Sequence, residues 1–184
     1  MREYTIYIDA ISKVFAATGV RVGWSFGPAG IISKMKAILT HIGAWAPMAE
    51  QKAVAYYLGN RTAIKTYLAH FKKEIEERLR RIYNGFTALK NEGLPVDAIA
   101  PQAAIYLTIK IDLKGKKDPE GNEFKDQSDV TAYILNEAKI AVVPFYAFGA
   151  SRSSAWYRLS VGTCKKEEID EMIGMLRKAL LKIK

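Results

Sequence analysis

An apolar stripe from Ile64 to Leu89 constrains the fold of this chain more than any other feature. Its members recur every three or four residues, which is the spacing of one face of an α-helix. They are Ile64, Leu68, Phe71, Ile75, Leu79, Ile82, Phe86 and Leu89. A helix of about 30 residues is roughly 45 Å long, which is more than a small domain needs. The stripe therefore predicts a long helix that joins two parts of the chain, residues 1–64 and 65–184.

The part before this helix contains two strand-like runs and two helical segments. Tyr4–Asp9 is rich in β-branched and aromatic residues, which is typical of a strand buried on both faces. Val20–Phe26 alternates apolar with small or polar residues, and a loop of about ten residues separates the two runs. Helices are predicted at Ala29–Ile42 and Met48–Leu58, and Asn60 is placed to cap the long helix.

The part after the helix predicts an α+β layer. Gly93 and Pro95 are placed to end the long helix, and Gly85 predicts a bend within it. Ala104–Asp112 alternates strictly and is the clearest half-buried strand. The remaining elements are two strands, Ile140–Val143 and Trp156–Val161, and two helices, one from Ser128 or Asp129 to Lys139 and one from Lys165 to Lys182. The fold class is therefore α/β, with an α+β small domain at residues 65–184.

The composition excludes several kinds of site. Cys164 is the only cysteine, so neither a disulfide nor a multi-cysteine metal site is expected. His41 and His70 lie 29 residues apart without ligand-like neighbours, so no metal site is predicted. No apolar run approaches the roughly 18 residues of a membrane span, and the first residues lack the pattern of a signal peptide. We expect no membrane partner and a cytoplasmic location.

The net charge of +9 suggests an anionic partner. However, the most basic stretch, Lys72–Glu92, mixes six basic residues with four acidic ones, which is typical of a solvated helix face. Other cations lie in the last turns of the final helix, where they suit its dipole. We therefore expect no nucleic-acid partner. A non-catalytic, anion-binding or regulatory module stays open as the alternative to an enzyme.

The segment Ile11–Pro28 contains the clearest candidate chemistry. Lys13 follows the first strand, and Arg21 begins the second strand eight residues later. A lysine amine is a nucleophile toward aldehydes, and an arginine binds phosphate with a fork of two N–H groups. Pyridoxal phosphate has both an aldehyde and a phosphate, so this pair within one turn of chain suits it. On spacing alone, a lysine extending from a surface loop is the alternative.

The exact residue types of this segment are more diagnostic than the spacing of Lys13 and Arg21 alone. Ser12–Trp24 resembles the cofactor-lysine signature of fold-type I aminotransferases of class I and II, Ser-Lys-x-Phe-Ala-x-Thr-Gly-x-Arg-x-Gly-Trp. The resemblance implies that Lys13 holds pyridoxal phosphate through its amine and shuttles a proton during the reaction. It also implies that Arg21 grips the cofactor phosphate, with Ser12 as the nearest hydroxyl. Ala10 stands where the family usually has a small polar residue.

Two further matches follow in the order of the family. Ala46-Pro47 with Gln51 resembles the helix start that lines the family's dimer interface beside the active site. The runs Val142-Val143-Pro144, Phe148-Gly149 and Tyr157-Arg158-Leu159-Ser160 resemble its C-terminal block, although Phe145 stands where the family has glycine. The resemblance implies that Arg158 binds the substrate α-carboxylate. Without the resemblance, an Asp or Glu partner within the chain is the alternative for this arginine.

The resemblance covers nearly the whole chain and implies the C-terminal portion of the pyridoxal-phosphate-dependent transferase fold. Residues 1–64 are then a remnant of the large, cofactor-binding domain, and residues 65–184 are the complete small domain. The parent enzyme is expected to be a homodimer of the aspartate-aminotransferase type that acts on an amino acid and a 2-oxo acid. The family's N-terminal half holds the phosphate loop, the aromatic that stacks on the ring and the acid that pairs with the pyridine nitrogen. No counterpart of that half is found, so the isolated chain is expected to be inactive.

Overall fold

The computed structural model describes residues 1–184 and divides them into two compact units. Unit 1 is Met1–Phe71 and unit 2 is Lys72–Lys184. The division falls within the long predicted helix, so this helix contributes residues to both units.

Unit 1 is built on one antiparallel pair of strands, β1 (Tyr7–Ala10) and β2 (Gly23–Phe26). Tyr7 lies opposite Phe26 and Ala10 opposite Gly23. The α-helices of unit 1 are α1 (Ile11–Val14), α2 (Ala29–Ile42), α3 (Met48–Leu58) and the first turns of α4 (Arg61–Asn91). Short 3-10 turns lie at Arg2–Tyr4 and Thr18–Val20. The predicted bounds of α2 and α3 are therefore confirmed at both ends.

Few apolar side chains of unit 1 are buried. Its core consists of Ile11, Val22 and Val54, with six partly buried neighbours. The prediction that Tyr4–Asp9 is a strand buried on both faces is wrong, since β1 begins at Tyr7 and Ile8 is 72% exposed. The physical reason is that β1 pairs with β2 alone, and a lone two-stranded ribbon cannot cover both of its faces. Unit 1 also contains 13 of the 17 exposed large apolar side chains of the chain.

The helix α4 confirms the predicted apolar stripe. Asn60 caps its start, because the side-chain oxygen of Asn60 accepts a hydrogen bond of 3.0 Å from the backbone N–H of Ala63. Gly93 ends it in a left-handed conformation at φ 84°, and the backbone N–H of Leu94 donates to the carbonyl of Leu89. The stripe is buried in unit 2, at Ile75, Leu79, Ile82, Phe86 and Leu89.

Unit 2 contains a four-stranded antiparallel sheet. Its strands are β3 (Val96–Ala98), β4 (Tyr106–Ile111), β5 (Val143–Pro144) and β6 (Trp156–Ser160), arranged in the order β3-β4-β6-β5. The alternation of β4 is confirmed, with Leu107, Ile109 and Ile111 buried. The predicted strand at 140–143 is reduced to two residues beside β6, and β3 was not predicted.

Two further helical segments of unit 2 contact each other. The first is α5 (Gln127–Tyr133), which continues into a π-helical turn at Ile134–Ala138, and the second is α6 (Ile169–Leu181). The predicted cap of α5 at Ser128 or Asp129 is wrong, because Asp126 is the N-cap. Its carboxylate accepts from the N–H groups of Ser128 and Asp129, while the Asp129 carboxylate accepts from the N–H of Asp126. This reciprocal capping box leaves Asp129 as the third helical residue.

Gly85 has a packing role in α4. A Cβ built on Gly85 would lie 2.7 Å from both Cγ1 and Cδ1 of Ile173 on α6. A side chain there would force the two helices apart or move Ile173. Gly174 in α6 has no such neighbour within 4 Å.

We expect Gly174→Ala to stabilise the chain by about 0.5–1 kcal/mol, because alanine loses less backbone entropy in a helix than glycine. Gly85→Ala makes the same gain, but overpacking costs about 1–3 kcal/mol and reverses the sign. Urea unfolding measures both free energies. In an Ile173→Ala background, Gly85→Ala should stabilise as Gly174→Ala does. Equal stabilisation by both single substitutions would contradict the assigned contact.

The charged side chains differ between the two units. All ten ion pairs of the chain lie in unit 2. Lys166 forms two of them, with Glu74 at 3.2 Å and with Glu77 at 3.0 Å. Unit 1 has eight Lys or Arg against three Asp or Glu, a net charge of +5, and none of them is paired. The oppositely charged face predicted for Lys72–Glu92 is seen in part, since Arg78 and Arg80 pair with Glu74 and Glu76 one turn earlier. Arg81 and Lys90 pair instead with Asp170 and Asp97, outside the helix. No helix has both the length and the apolar content to cross a membrane.

Candidate functional site

The connection between β1 and β2 contains three of the predicted site residues, Ser12, Lys13 and Arg21. A backbone hydrogen bond of 3.3 Å from the N–H of Ile11 to the carbonyl of Val22 closes this connection at its base. Lys13 lies two residues after Ile11, and Arg21 directly precedes Val22. The antiparallel register of β1 and β2 therefore places these two cations at the same end of the strand pair.

Apolar residues fix one side of this connection and leave its polar residues outside. Ile11 and Val22 are buried against Val54 of α3. The ring of Phe15 contacts the ring of Tyr57 edge-on at 5.5 Å and that of Tyr67 at 5.8 Å, measured between centroids. Because the apolar side chains pack on one side of the connection, its polar side chains lie on the other. Lys13 and Arg21 are exposed, and Ser12 is half-buried.

Arg21 has an unusual backbone conformation for a non-glycine residue. It is left-handed, at φ 60° and ψ 37°, and its Nη1 donates a hydrogen bond of 3.0 Å to the carbonyl of Thr18. Ala16 is also left-handed, at φ 50°. Such residues cost about 1–2 kcal/mol each and cluster at functional sites. The single hydrogen bond orients the Arg21 guanidinium and leaves its other N–H groups available for an anion.

The nearest carboxylate in sequence does not neutralise Lys13. Asp9 instead accepts a hydrogen bond of 2.8 Å from the hydroxyl of Tyr7 and one of 2.7 Å from the N–H of Ala10. The hydrogen bond from the Tyr7 hydroxyl to Asp9, together with the negative charge of Asp9, raises the pKa of Tyr7 above its ordinary value. The Lys13 amine forms neither an ion pair nor a hydrogen bond within the chain.

The donor set of this connection fits pyridoxal phosphate. An unpaired primary amine suits an aldehyde, and the Arg21 guanidinium with the Ser12 hydroxyl suits a phosphate. The side chains do not offer a metal site instead, because no group of three or more His, Cys, Asp or Glu is arranged to hold an ion.

Arg158, the fourth predicted site residue, lies in unit 2 on β6. It is half-buried, and no Asp or Glu pairs with it, so the structure does not contain the internal acidic partner considered as an alternative. Its guanidinium contacts two aromatic rings, with Cζ lying 4.4 Å from the ring centroid of Tyr106 and 4.6 Å from that of Phe148. A partly buried cation without a counter-ion is a candidate anion-binding group.

Sequence reasoning did not assign a role to Tyr106 or Phe148. The signal for Tyr106 was available, since it lies on the face of β4 opposite the buried residues. The position of Phe148 depends on the turn Phe145–Phe148, which no periodicity encodes.

The segment predicted to begin an interface helix is fixed by local bonds. Pro47 is the N-cap of α3, and the side-chain amide of Gln51 donates a hydrogen bond of 2.6 Å to the carbonyl of Ala46. The Gln51 side chain is otherwise exposed.

Comparison with known proteins agrees with these observations. Residues 1–176 match the family described as aminotransferase class I and II. An aspartate aminotransferase of Rhizobium meliloti (strain 1021) is 30% identical over 91% of this chain and 38% of its own length. A probable aspartate/prephenate aminotransferase of Rickettsia prowazekii is 26% identical over 91% of this chain and 40% of its own length.

Solved structures give the same result. The aspartate aminotransferase of Rhizobium meliloti superposes with a TM-score of 0.82 at 26% identity, over 100% of this chain and 43% of the other. The aromatic aminotransferase of Pyrococcus horikoshii superposes with a TM-score of 0.78 at 27% identity, over 98% of this chain and 44% of the other. The chain thus spans about two-fifths of the length of these relatives. Since the family match extends over nearly all of its residues, this chain belongs to the class I and II aminotransferases.

Proposed function

We propose that this chain supplies the lysine, the phosphate anchor and the carboxylate anchor of a pyridoxal-phosphate-dependent aminotransferase. The reaction transfers an amino group between an amino acid and a 2-oxo acid. Unit 1 then corresponds to part of the cofactor-binding domain and unit 2 to the small domain. We also propose a homodimeric parent enzyme, on the basis of the family resemblance at Ala46, Pro47 and Gln51.

Each of the four residues has a distinct role in this proposal. Pyridoxal phosphate, when bound, draws electrons from the substrate α-carbon and so lets its proton leave. Lys13 would hold the cofactor through its amine, and as a free amine it would take the substrate α-proton as a general base and return it as an acid. Arg21 and Ser12 would bind the cofactor phosphate and so hold the cofactor in place independently of Lys13. Arg158 binds the substrate carboxylate through two parallel N–H groups.

The observation that most supports this proposal is the connection between β1 and β2. Its sequence matches the family signature, and its fold exposes an unpaired lysine and a nearly unpaired arginine at one end of the strand pair. No observation favours the anion-binding module as a second function. Nine of the basic side chains of unit 2 are already held in ion pairs, which reduces the charge available to a polyanion.

Reduction with borohydride after incubation with pyridoxal phosphate tests the proposal. We expect peptide mass mapping to find the label mainly at Lys13, ahead of the exposed lysines Lys34 and Lys36. Arg21→Ala should lower the labelling of Lys13 by about tenfold, because a charge-assisted hydrogen bond to phosphate contributes roughly 1.5–3 kcal/mol. Arg2→Ala removes another exposed arginine of unit 1 and should leave the labelling unchanged. A label spread evenly over the surface lysines would refute the role of Lys13.

A further inference from the structure

The surroundings of Arg158 are built from both of its neighbouring strands. In the sheet order β4-β6-β5, Arg158 lies directly opposite Thr108 on one side and Val143 on the other. Tyr106 is two residues from Thr108 and therefore on the same face of the sheet as Arg158, within reach of a long side chain. Phe148 comes from the opposite side, at the end of the turn that follows β5.

The two rings therefore approach the guanidinium from different directions. They form no aromatic pair with each other, although each centroid lies within 4.6 Å of Cζ. Both distances are within the roughly 6 Å at which an aromatic ring attracts a cation. Arginine is well suited to such stacking because its guanidinium is planar.

We propose, on the basis of the aminotransferase role proposed above, that Tyr106 and Phe148 are positioning residues for Arg158. They hold the plane of the guanidinium and cover its faces, so that its rim of N–H groups is the surface left for a ligand. A carboxylate binds in that plane through its two oxygens. The rings also limit the motion of a flexible side chain before the ligand arrives, which reduces the entropy lost on binding.

The turn that positions Phe148 ends in a conformation that favours glycine. Gly149 is left-handed at φ 89°, and its N–H donates to the carbonyl of Tyr146. Phe148 itself is 55% exposed, so it contributes little to the core of unit 2. An exposed phenylalanine held over an unpaired arginine is better explained by the arginine than by folding.

Phenylglyoxal modification of arginines, followed by peptide mass mapping, tests this proposal on the 184-residue chain. Acetate is titrated against chloride at constant ionic strength, and the concentration that halves the rate at Arg158 is measured. In the wild-type chain we expect acetate to protect Arg158 more than Arg152, which stacks on Tyr146 at 5.2 Å. Phe148→Leu and Tyr106→Leu should each raise the half-protecting concentration by about three- to tenfold, the range of one cation–π contact.

Two conservative variants and one matched control separate positioning from general damage. Phe148→Tyr and Tyr106→Phe keep a ring and should retain the wild-type protection of Arg158. Tyr146→Leu removes the ring from Arg152 and should leave Arg158 unaffected. Unchanged protection in both leucine variants, or no protection of Arg158 in the wild type, would overturn the proposal. The labelling of Lys13 tests the aminotransferase role separately, since it requires neither ring.

Discussion

The isolated 184-residue chain is expected to transaminate at least about 100–1,000-fold more slowly than a full-length aminotransferase of the same family. Removal of a single preorganised donor from an active site costs this much on its own. The chain spans 38% of its Rhizobium relative, and the family resemblance assigns the acid of the pyridine ring to the part that is not matched. In the proposed function, Lys13 and Arg21 are therefore only part of the site that the reaction needs.

A coupled assay that follows the 2-oxo acid product measures this rate. Lys13→Ala provides the background, because it removes the proposed base and attachment point together. We expect the wild-type chain to lie near that background. Rapid turnover that is lost in Lys13→Ala would show that the chain needs no further residues for the reaction.

Backbone amides of β4 and β6 are expected to exchange hydrogen on the order of 1,000-fold more slowly than those of β1 and β2. Exchange in a stable core requires extensive unfolding, whereas a poorly buried segment opens locally. The strands of unit 2 bury Leu107, Ile109 and Tyr157 almost completely, while unit 1 buries only three apolar residues. A lone strand pair is marginally stable in water.

Hydrogen exchange followed by mass spectrometry of peptic peptides measures this difference. Peptides from α6, which buries Ile169, Leu176 and Leu180, serve as a second reference for unit 2. Protection of β1 equal to that of β4 would contradict the expectation. It would also indicate that another surface covers unit 1 in solution.

The elements that sequence predicted well have local start and stop signals. α2 begins after Pro28 and ends at Gly43, and α4 begins after Asn60, so short-range rules locate them. The burial of β1 was wrong because it depends on neighbours in space. The N-cap of α5 was predicted too late in the sequence because Asp126, Ser128 and Asp129 are all good capping residues, and only the folded turn selects one of them.

The same distinction applies to the candidate site. Lys13 and Arg21 lie within nine residues of each other, so one short motif predicts both, and the register of β1 and β2 places them at the same end of the strand pair. The rings around Arg158 were not predicted, because Tyr106 and Phe148 are separated from it by 52 and ten residues. Their contact depends on the register of β4 and β6 and on the turn after β5, which are settled only when the sheet forms.

The uneven distribution of ion pairs has a consequence for colloidal behaviour. Unit 1 combines its unpaired charge of +5 with most of the exposed apolar side chains, so its charge opposes the self-association that its apolar side chains favour. At 0.15 M salt the Debye length falls to about 8 Å, and this repulsion is screened. The ion pairs of unit 2 lose little, since an exposed pair contributes at most about 1 kcal/mol. Added salt is thus expected to favour self-association through the apolar side chains of unit 1 while leaving the fold of unit 2 nearly unchanged.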